Sequence, residues 1–256
     1  MEIILDKIKS NILNNVSYTF KNSITFVNGI SLKDIKELLF LEKRPINGRV
    51  YLSERGLKKD IAYLSNEVNF IKNNLEEEMY YYFKLYKLNY RNIDKKINDS
   101  LKMLNLSNIY LKKEFNIMSS NELKLCDFAL KMFLNPKIII LDYYDKTLPN
   151  NIIEYIKKLV LKLNKMYDKN IIISSNNIEL YLNIIKDIVI FNNGDIVFTG
   201  DKTSFYDSTL YNYIDEPKIV NFIKYINKKG HKFDSYIDIK ELLKAIYRDV
   251  ENKWDI

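Results

Sequence analysis

The chain of 256 residues contains little glycine, proline, cysteine or histidine. It has six glycines and four prolines, whereas an average protein of this length has about eighteen glycines. These counts exclude the collagen-like, Gly/Ser-linker and proline-rich disordered classes of protein. They also argue against any site that is built from several glycines.

The single cysteine and the single histidine limit the chemistry further. Cys126 alone cannot form a disulfide framework or a multi-cysteine metal site, and His231 alone excludes histidine-rich metal sites. No apolar run approaches the roughly 20 residues that span a bilayer. The first residues, Met1–Leu5 followed by Asp6, do not resemble a signal peptide. We therefore expect a reducing, cytoplasmic compartment.

The chain is basic, with 40 Lys and Arg against 33 Asp and Glu and a net charge of +7. A basic chain can bind nucleic acid or anionic lipid. Its lysines are spread along the sequence and interleaved with acidic residues, which is typical of a solvated surface. The pattern disfavours nucleic acid as a partner and makes a nucleic-acid-binding module a weak hypothesis.

Short β-rich runs alternate with helical patterns, which predicts an α/β fold. The runs at 138–141 and 171–173 are almost unbroken isoleucine and leucine, as in strands that are buried on both faces of a parallel sheet. Asn193-Gly194 predicts a hairpin between two strands. The predicted strands are 24–27, 49–53, 61–65, 137–142, 170–175, 187–191 and 195–199.

Helical periodicity predicts helices at 32–41, 152–167, 218–226 and 239–250. Strand signals vanish between residues 69 and 134, which predicts a helical insertion in the sheet. This insertion contains a dense aromatic segment, from Met79 to Tyr90. Such a segment fits either the insertion's own core or an interface, and its aromatic residues are more than one helix face can bury.

Eight segments resemble, in chain order, the motifs of the ATP-binding cassette (ABC) ATPases of membrane transporters, and one of them is the segment 74–79 that follows the Q-loop. The others are a strand, turn and helix (24–41), a turn and strand (45–52), a Q-loop strand (61–66), a signature segment (118–122), a Walker B strand (137–142), a switch segment (171–177) and a hairpin (189–200). Their order and spacing together are specific, and the resemblance covers about residues 12–203.

The resemblance implies a P-loop NTPase-like mixed sheet with a helical subdomain and a short C-terminal helical tail. It places an ABC ATPase-like domain at 1–215, its helical subdomain at about 68–134, and a helical appendix at 216–256. The appendix is similar to the tail of energy-coupling factor ATPase subunits, the vitamin and metal uptake branch of the family. In that branch the tail helps two ATPase subunits to associate.

The resemblance also implies ligands, site residues and partners. ATP and Mg²⁺ are the ligands that it suggests, with a second ABC ATPase chain and an integral membrane transporter subunit as partners. The chain would then lie peripherally on the cytoplasmic face of the cell membrane. The positions that match nucleotide-binding residues are Asn28, Gly29, Ser31, Lys33, Asn66, Ser119 and Asn176, and Asp142 matches the metal-binding carboxylate.

The phosphate-loop segment departs from the family's pattern. Only its first glycine is kept, as Gly29, while Leu32 stands at the lysine position and Lys33 at the Ser/Thr position. Ser31 and Asp34 have capping-box spacing, which predicts that the helix satisfies its own N–H groups. An ordinary capped helix is therefore favoured here over a working phosphate site.

The remaining motifs also differ from the family's pattern at the residues that bind or hydrolyse the nucleotide. Tyr143 replaces the glutamate that would polarise the attacking water, and a phenol is a poor base at neutral pH. Asn176 replaces the switch histidine, and Ser120 and Asn121 replace the signature glycines. Asp142 fits either a strand-end cap or a metal ligand. The pattern indicates a pseudo-ATPase, with an active ABC subunit and a soluble binding module as the alternatives.

Overall fold

The computed structural model describes residues 1–206 and 208–254, so residues 207, 255 and 256 lie outside it, including the end of the predicted appendix. Its strands form two sheets. The strands are β1 (Ile3–Lys9), β2 (Val16–Phe20), β3 (Ile24–Asn28), β4 (Asn47–Leu52), β5 (Ile61–Ser65), β6 (Ile138–Asp142), β7 (Asn170–Ser174), β8 (Asp187–Asn192) and β9 (Asp195–Asp201).

The central sheet has the order β5-β6-β7-β3-β8-β9, and its first five strands run parallel. β9 pairs antiparallel with β8 through the predicted Asn193-Gly194 turn. In the parallel register Ser65 pairs with Asp142, and Asp142 pairs with Ser174. The polar residues at these strand ends therefore meet at one edge of the sheet.

The helices are α1 (Leu32–Leu39), α2 (Leu75–Leu85), α3 (Ile93–Met103), α4 (Ile109–Lys112), α5 (Ser120–Phe133), α6 (Asn150–Tyr167), α7 (Lys218–Lys228) and α8 (Ile239–Trp254). Helices α2 to α5 lie between β5 and β6 in the chain, where the sequence predicts the insertion. The exact domain boundaries stay a prediction. None of the described helices is long and apolar enough to cross a membrane.

The core lies on both faces of the central sheet, which explains the unbroken apolar runs. Ile138 and Ile140 pack in a cluster with residues of β1, β2, β4 and α1. Their neighbours Ile139 and Leu141 pack in a larger cluster that includes residues of α5 and α6. Alternate side chains of one strand thus enter two cores, and both must be apolar. The α/β prediction is confirmed.

The small antiparallel sheet, of order β2-β1-β4, is the main element that the sequence analysis missed. The segment predicted as a strand at 49–53 belongs to this sheet, as β4. A register shift between Asp6 and Lys9 interrupts the alternation of β1, and Lys7 has a positive φ of 46°. The bulge hides the period of two that identifies a strand.

The aromatic segment of α2 is half-buried rather than exposed, and Tyr80, Tyr82 and Phe83 pack against the larger core. The insertion instead exposes aliphatic side chains. Its exposed large apolar residues are Ile71, Leu85, Ile109 and Ile117. An interface on this part of the molecule would therefore be formed by these aliphatic residues more than by the aromatic segment.

Candidate functional site

The carboxyl ends of β5, β6 and β7 and the start of α1 border one cleft of about 710 Å³. Five residues that the sequence singles out line it: Lys33, Asn66, Asp142, Tyr143 and Asn176. Asn28 lines a second cleft together with Asn176, and its side chain donates to the carbonyl oxygen of Ser175 at 3.3 Å. Ser119 lines neither of these clefts and is the N-cap of α5.

The Asp142 carboxylate is surrounded by donors from the protein itself. One oxygen, Oδ2, accepts from the hydroxyl of Tyr63 at 2.6 Å and from the backbone N–H of Lys33 at 3.2 Å. The other, Oδ1, accepts from the hydroxyl of Ser174 at 2.6 Å. The residue is only 6% exposed. Its negative charge thus lies against the first turn of α1, where the helix dipole is positive.

The Tyr63 hydroxyl is firmly committed to this contact. Burial, the hydrogen bond to Asp142 and the charge of that carboxylate all raise the pKa of Tyr63 above its usual value. The phenol therefore stays protonated and donates to the carboxylate across the neutral pH range. Sequence reasoning missed Tyr63, because nothing in a strand pattern distinguishes a tyrosine that reaches a carboxylate 79 residues away.

The predicted Ser31–Asp34 capping box is wrong. Ser31 is the N-cap of α1, but its hydroxyl oxygen accepts from the N–H of Lys33 at 3.2 Å. The Asp34 side chain turns away and pairs with Lys43 at 2.8 Å. The Lys33 N–H is shared between the Ser31 hydroxyl and Asp142. The helix start is thus satisfied by a serine and by a distant aspartate.

Gly29 is required by packing in this fold. Its φ is +83°, a conformation that side chains with a Cβ rarely adopt, and a Cβ there would overlap the backbone carbonyl oxygen of Phe191 in β8. The one glycine kept in the phosphate-loop segment therefore has a structural reason that involves no ligand.

Tyr143 follows β6 in a left-handed conformation, with a φ of 49°. Its backbone N–H donates to the carbonyl oxygen of Ser174 at 3.0 Å. Burial and the charges of Asp142 and Asp145 raise the pKa of the Tyr143 phenol. Even less of this phenol is therefore deprotonated at neutral pH than of an ordinary tyrosine, so the side chain is less available as a general base.

Asn66 is held by a residue that sequence reasoning missed. Its Oδ1 accepts from the ammonium of Lys124 in α5 at 2.6 Å, and from the hydroxyl of Thr147 at 3.2 Å. Lys124 is completely buried. A lone lysine in a helix is ordinarily read as a solvated residue, so the sequence offered no signal for it.

Ser119 and Glu122 form the capping box that begins α5. The Glu122 N–H donates to the Ser119 hydroxyl at 3.3 Å, and the Ser119 N–H donates to the Glu122 carboxylate at 2.7 Å. The spacing Ser-x-x-Glu could have revealed this cap in the sequence. Ser119, the serine kept in the signature segment, therefore stabilises the start of α5 as its N-cap.

We expect Glu122→Gln to destabilise the protein at neutral pH but not in strong acid. Hydrogen bonds from Lys113 and from the Ser119 N–H lower the pKa of Glu122 from 4.5 to about 2. A lowered folded-state pKa contributes stability above pH 4.5, and this contribution is lost as the pH falls toward 2. Urea unfolding of both proteins from pH 7 to pH 2 should show their difference vanish over that window. A difference that does not depend on pH would contradict the assignment.

The residues present do not fit a metal or an ATP phosphate well. Both oxygens of Asp142 already accept hydrogen bonds, Leu32 offers no charge, and Lys33 offers no hydroxyl. Among the described residues, no group of three or more Asp, Glu, His or Cys side chains could hold a metal ion.

Comparison with known proteins shows similarity along nearly the whole chain. No family model matches it. A Pyrococcus furiosus protein described as an ABC transporter ATP-binding protein is 22% identical over 249 residues, which cover 92% of this chain and 93% of the relative. An energy-coupling factor transporter ATP-binding protein of Ureaplasma parvum is also 22% identical, over 93% of this chain and 86% of its own length.

Solved structures show the same fold. CbiO1 of Clostridium perfringens, part of the ABC transporter complex CbiONQ, superimposes with a TM-score of 0.70 at 15% identity, over 87% of this chain and 98% of its own. A dimeric bacterial ABC transporter cassette superimposes with a TM-score of 0.68 at 17% identity, over 79% of this chain and 99% of its own. The chain thus has the fold of an ABC transporter ATPase domain and resembles ABC transporter ATP-binding proteins in sequence.

Proposed function

We propose that the chain is a degenerate ATP-binding-cassette subunit of a membrane importer of the energy-coupling factor type, and that its own ATPase activity is absent or very weak. It supports a partner ATPase structurally or regulates it. The similarity to ABC ATP-binding proteins at 22% identity, including an energy-coupling factor protein, supports the transporter assignment.

The main support for the loss of activity is that the Asp142 carboxylate already accepts hydrogen bonds from the protein itself. In a working site of this kind an aspartate helps to hold Mg²⁺ and the helix start receives phosphate. Here the carboxylate occupies the helix start itself, at 3.2 Å from the Lys33 N–H. Phosphate would have to displace a buried carboxylate and would meet its negative charge.

Two further replacements point the same way. Leu32, at the lysine position, is 1% exposed and packs in the core, so it offers no cation to a phosphate. Tyr143, at the glutamate position, has a raised pKa and cannot accept a proton from water at neutral pH. Binding and hydrolysis are thus impaired by separate residues.

Exposed apolar residues support the proposed partners. In the insertion, Ile71, Ile109 and Ile117 are between 60% and 75% exposed, and they would suit docking to an integral membrane subunit on the cytoplasmic face. On α8, Leu243 and Tyr247 are 47% and 68% exposed and lie four residues apart on one side of the helix. They would suit a second ATPase chain.

Turnover of MgATP by the purified chain, alone and with a partner ATPase, tests the proposal. We expect the chain alone to give the same phosphate release as its Asp142→Ala variant, which controls for contaminating ATPases. Robust turnover by the chain alone that Asp142→Ala abolishes would overturn the proposal and favour an active ABC subunit.

A further inference from the structure

A buried ammonium group joins the helical insertion to the central sheet. Lys124 lies in α5 and is 0% exposed. Its Nζ donates to Asn66 Oδ1 at 2.6 Å, to Thr147 Oγ1 at 2.8 Å and to the carbonyl oxygen of Tyr144 at 3.1 Å. Asn66 follows β5, while Tyr144 and Thr147 follow β6. We call these four residues the Lys124 junction.

In the Lys124 junction every hydrogen of the ammonium has an acceptor, and one partner residue also donates a hydrogen bond to Lys124. An ammonium has three hydrogens to donate, and each has an acceptor here. The hydroxyl of Tyr144, which is 1% exposed, donates back to the carbonyl oxygen of Lys124 at 2.6 Å. A shift of α5 away from the strand ends would break all four hydrogen bonds together.

The energetics make such a shift costly. All three acceptors of the ammonium are neutral, so the charge depends on their dipoles rather than on an ion pair. Burial lowers the pKa of Lys124, and the charge of Asp145 only opposes this in part. An ammonium that lost these oxygens inside the protein would be left without solvation.

We infer that the Lys124 junction holds the helical insertion in a fixed orientation against the central sheet without any ligand. The side-chain oxygen of Asn66 then accepts its hydrogen bond from Lys124 whether or not a ligand occupies the cleft. The inference goes beyond the proposed function, because it concerns the insertion's orientation whether or not ATP binds.

Hydrogen exchange of the full chain, followed by mass spectrometry without nucleotide, tests this inference. Lys124→Met keeps the length of the side chain but removes its charge and donors. We expect exchange about tenfold faster in the segments 66–69 and 143–148, with β3 and β7 unchanged, because opening would be local. Unchanged exchange in both segments, or an equal increase in every peptide, would overturn the inference.

Lys157→Met is the matched control. Lys157 is also buried, at 7% exposed, but it lies in α6 and pairs with Glu154 at 2.7 Å. The Lys157→Met variant should exchange the amide hydrogens of segments 66–69 and 143–148 at the wild-type rate. If Lys124→Met does not fold, Thr147→Val removes a single acceptor and should accelerate exchange in the same segments to a smaller degree. No acceleration there would count against the inference.

Added MgATP separates this inference from the proposed function. The wild-type segments 66–69 and 143–148 should already be protected without nucleotide and should not change when MgATP is added. Protection that develops only with MgATP would show that a ligand, and not Lys124, orders the junction. Protection without MgATP would uphold the junction even if calorimetry detected ATP binding.

Discussion

Gly29→Ala is expected to destabilise the protein by about 2–5 kcal/mol. The left-handed backbone costs a side chain about 1–2 kcal/mol. The overlap of the new Cβ with the Phe191 carbonyl oxygen adds roughly 1–3 kcal/mol, because Phe191 lies within β8 and Gly29 directly follows β3, so neither backbone can move freely. Urea unfolding, or the yield of folded protein, measures the loss.

Gly230→Ala is the matched control for this prediction. Gly230 also has a positive φ, of +99°, but nothing lies within 4 Å of the position of its Cβ. The free energy of unfolding of Gly230→Ala should fall only by the cost of the left-handed backbone, about 1–2 kcal/mol. Equal losses for the two variants would contradict the packing role of Gly29 and would leave its positive φ as the reason for that glycine.

Asp142→Ala is expected to destabilise the ligand-free protein by about 3 kcal/mol, since hydrogen bonds to a buried charge contribute about 1.5–3 kcal/mol each and are not additive. The substitution leaves the hydroxyls of Tyr63 and Ser174 without their acceptor, and it leaves the N–H of Lys33 with the Ser31 hydroxyl alone. A carboxylate that was kept only to hold Mg²⁺ would cost little when removed. Equilibrium unfolding without nucleotide distinguishes the two roles.

Asp34→Ala controls for a carboxylate at the same end of α1. Asp34 pairs with Lys43, which is 56% exposed, so the pair is near solvent. Its removal should cost about 1 kcal/mol or less. If Asp142→Ala cost no more than Asp34→Ala, the proposed structural role of Asp142 would be wrong.

Local pattern was enough to predict the central sheet. The isoleucine runs of β6 and β7, the Asn193-Gly194 turn and the periodicity of α6 are each determined by neighbouring residues, and all three are confirmed. The strand β1 was missed because its bulge breaks the alternation that a pattern search needs.

The site was less predictable because its contacts join distant parts of the chain. The capping box expected at Ser31 failed since the shorter Asp34 side chain pairs with Lys43, while the true box, at Ser119 and Glu122, has the longer glutamate. The roles of Tyr63 and Lys124 depend on which strand ends lie side by side. Such information resides in the topology and not in any local spacing.

Calorimetric titration of the purified chain with MgATP tests most directly whether the nucleotide chemistry is lost. Because the Asp142 carboxylate contacts the first turn of α1 and Leu32 lies in the core, we expect no saturable heat at micromolar or low millimolar nucleotide. Saturable binding at micromolar MgATP that disappears in a folded Asp142→Ala variant would contradict the account and show a working nucleotide site.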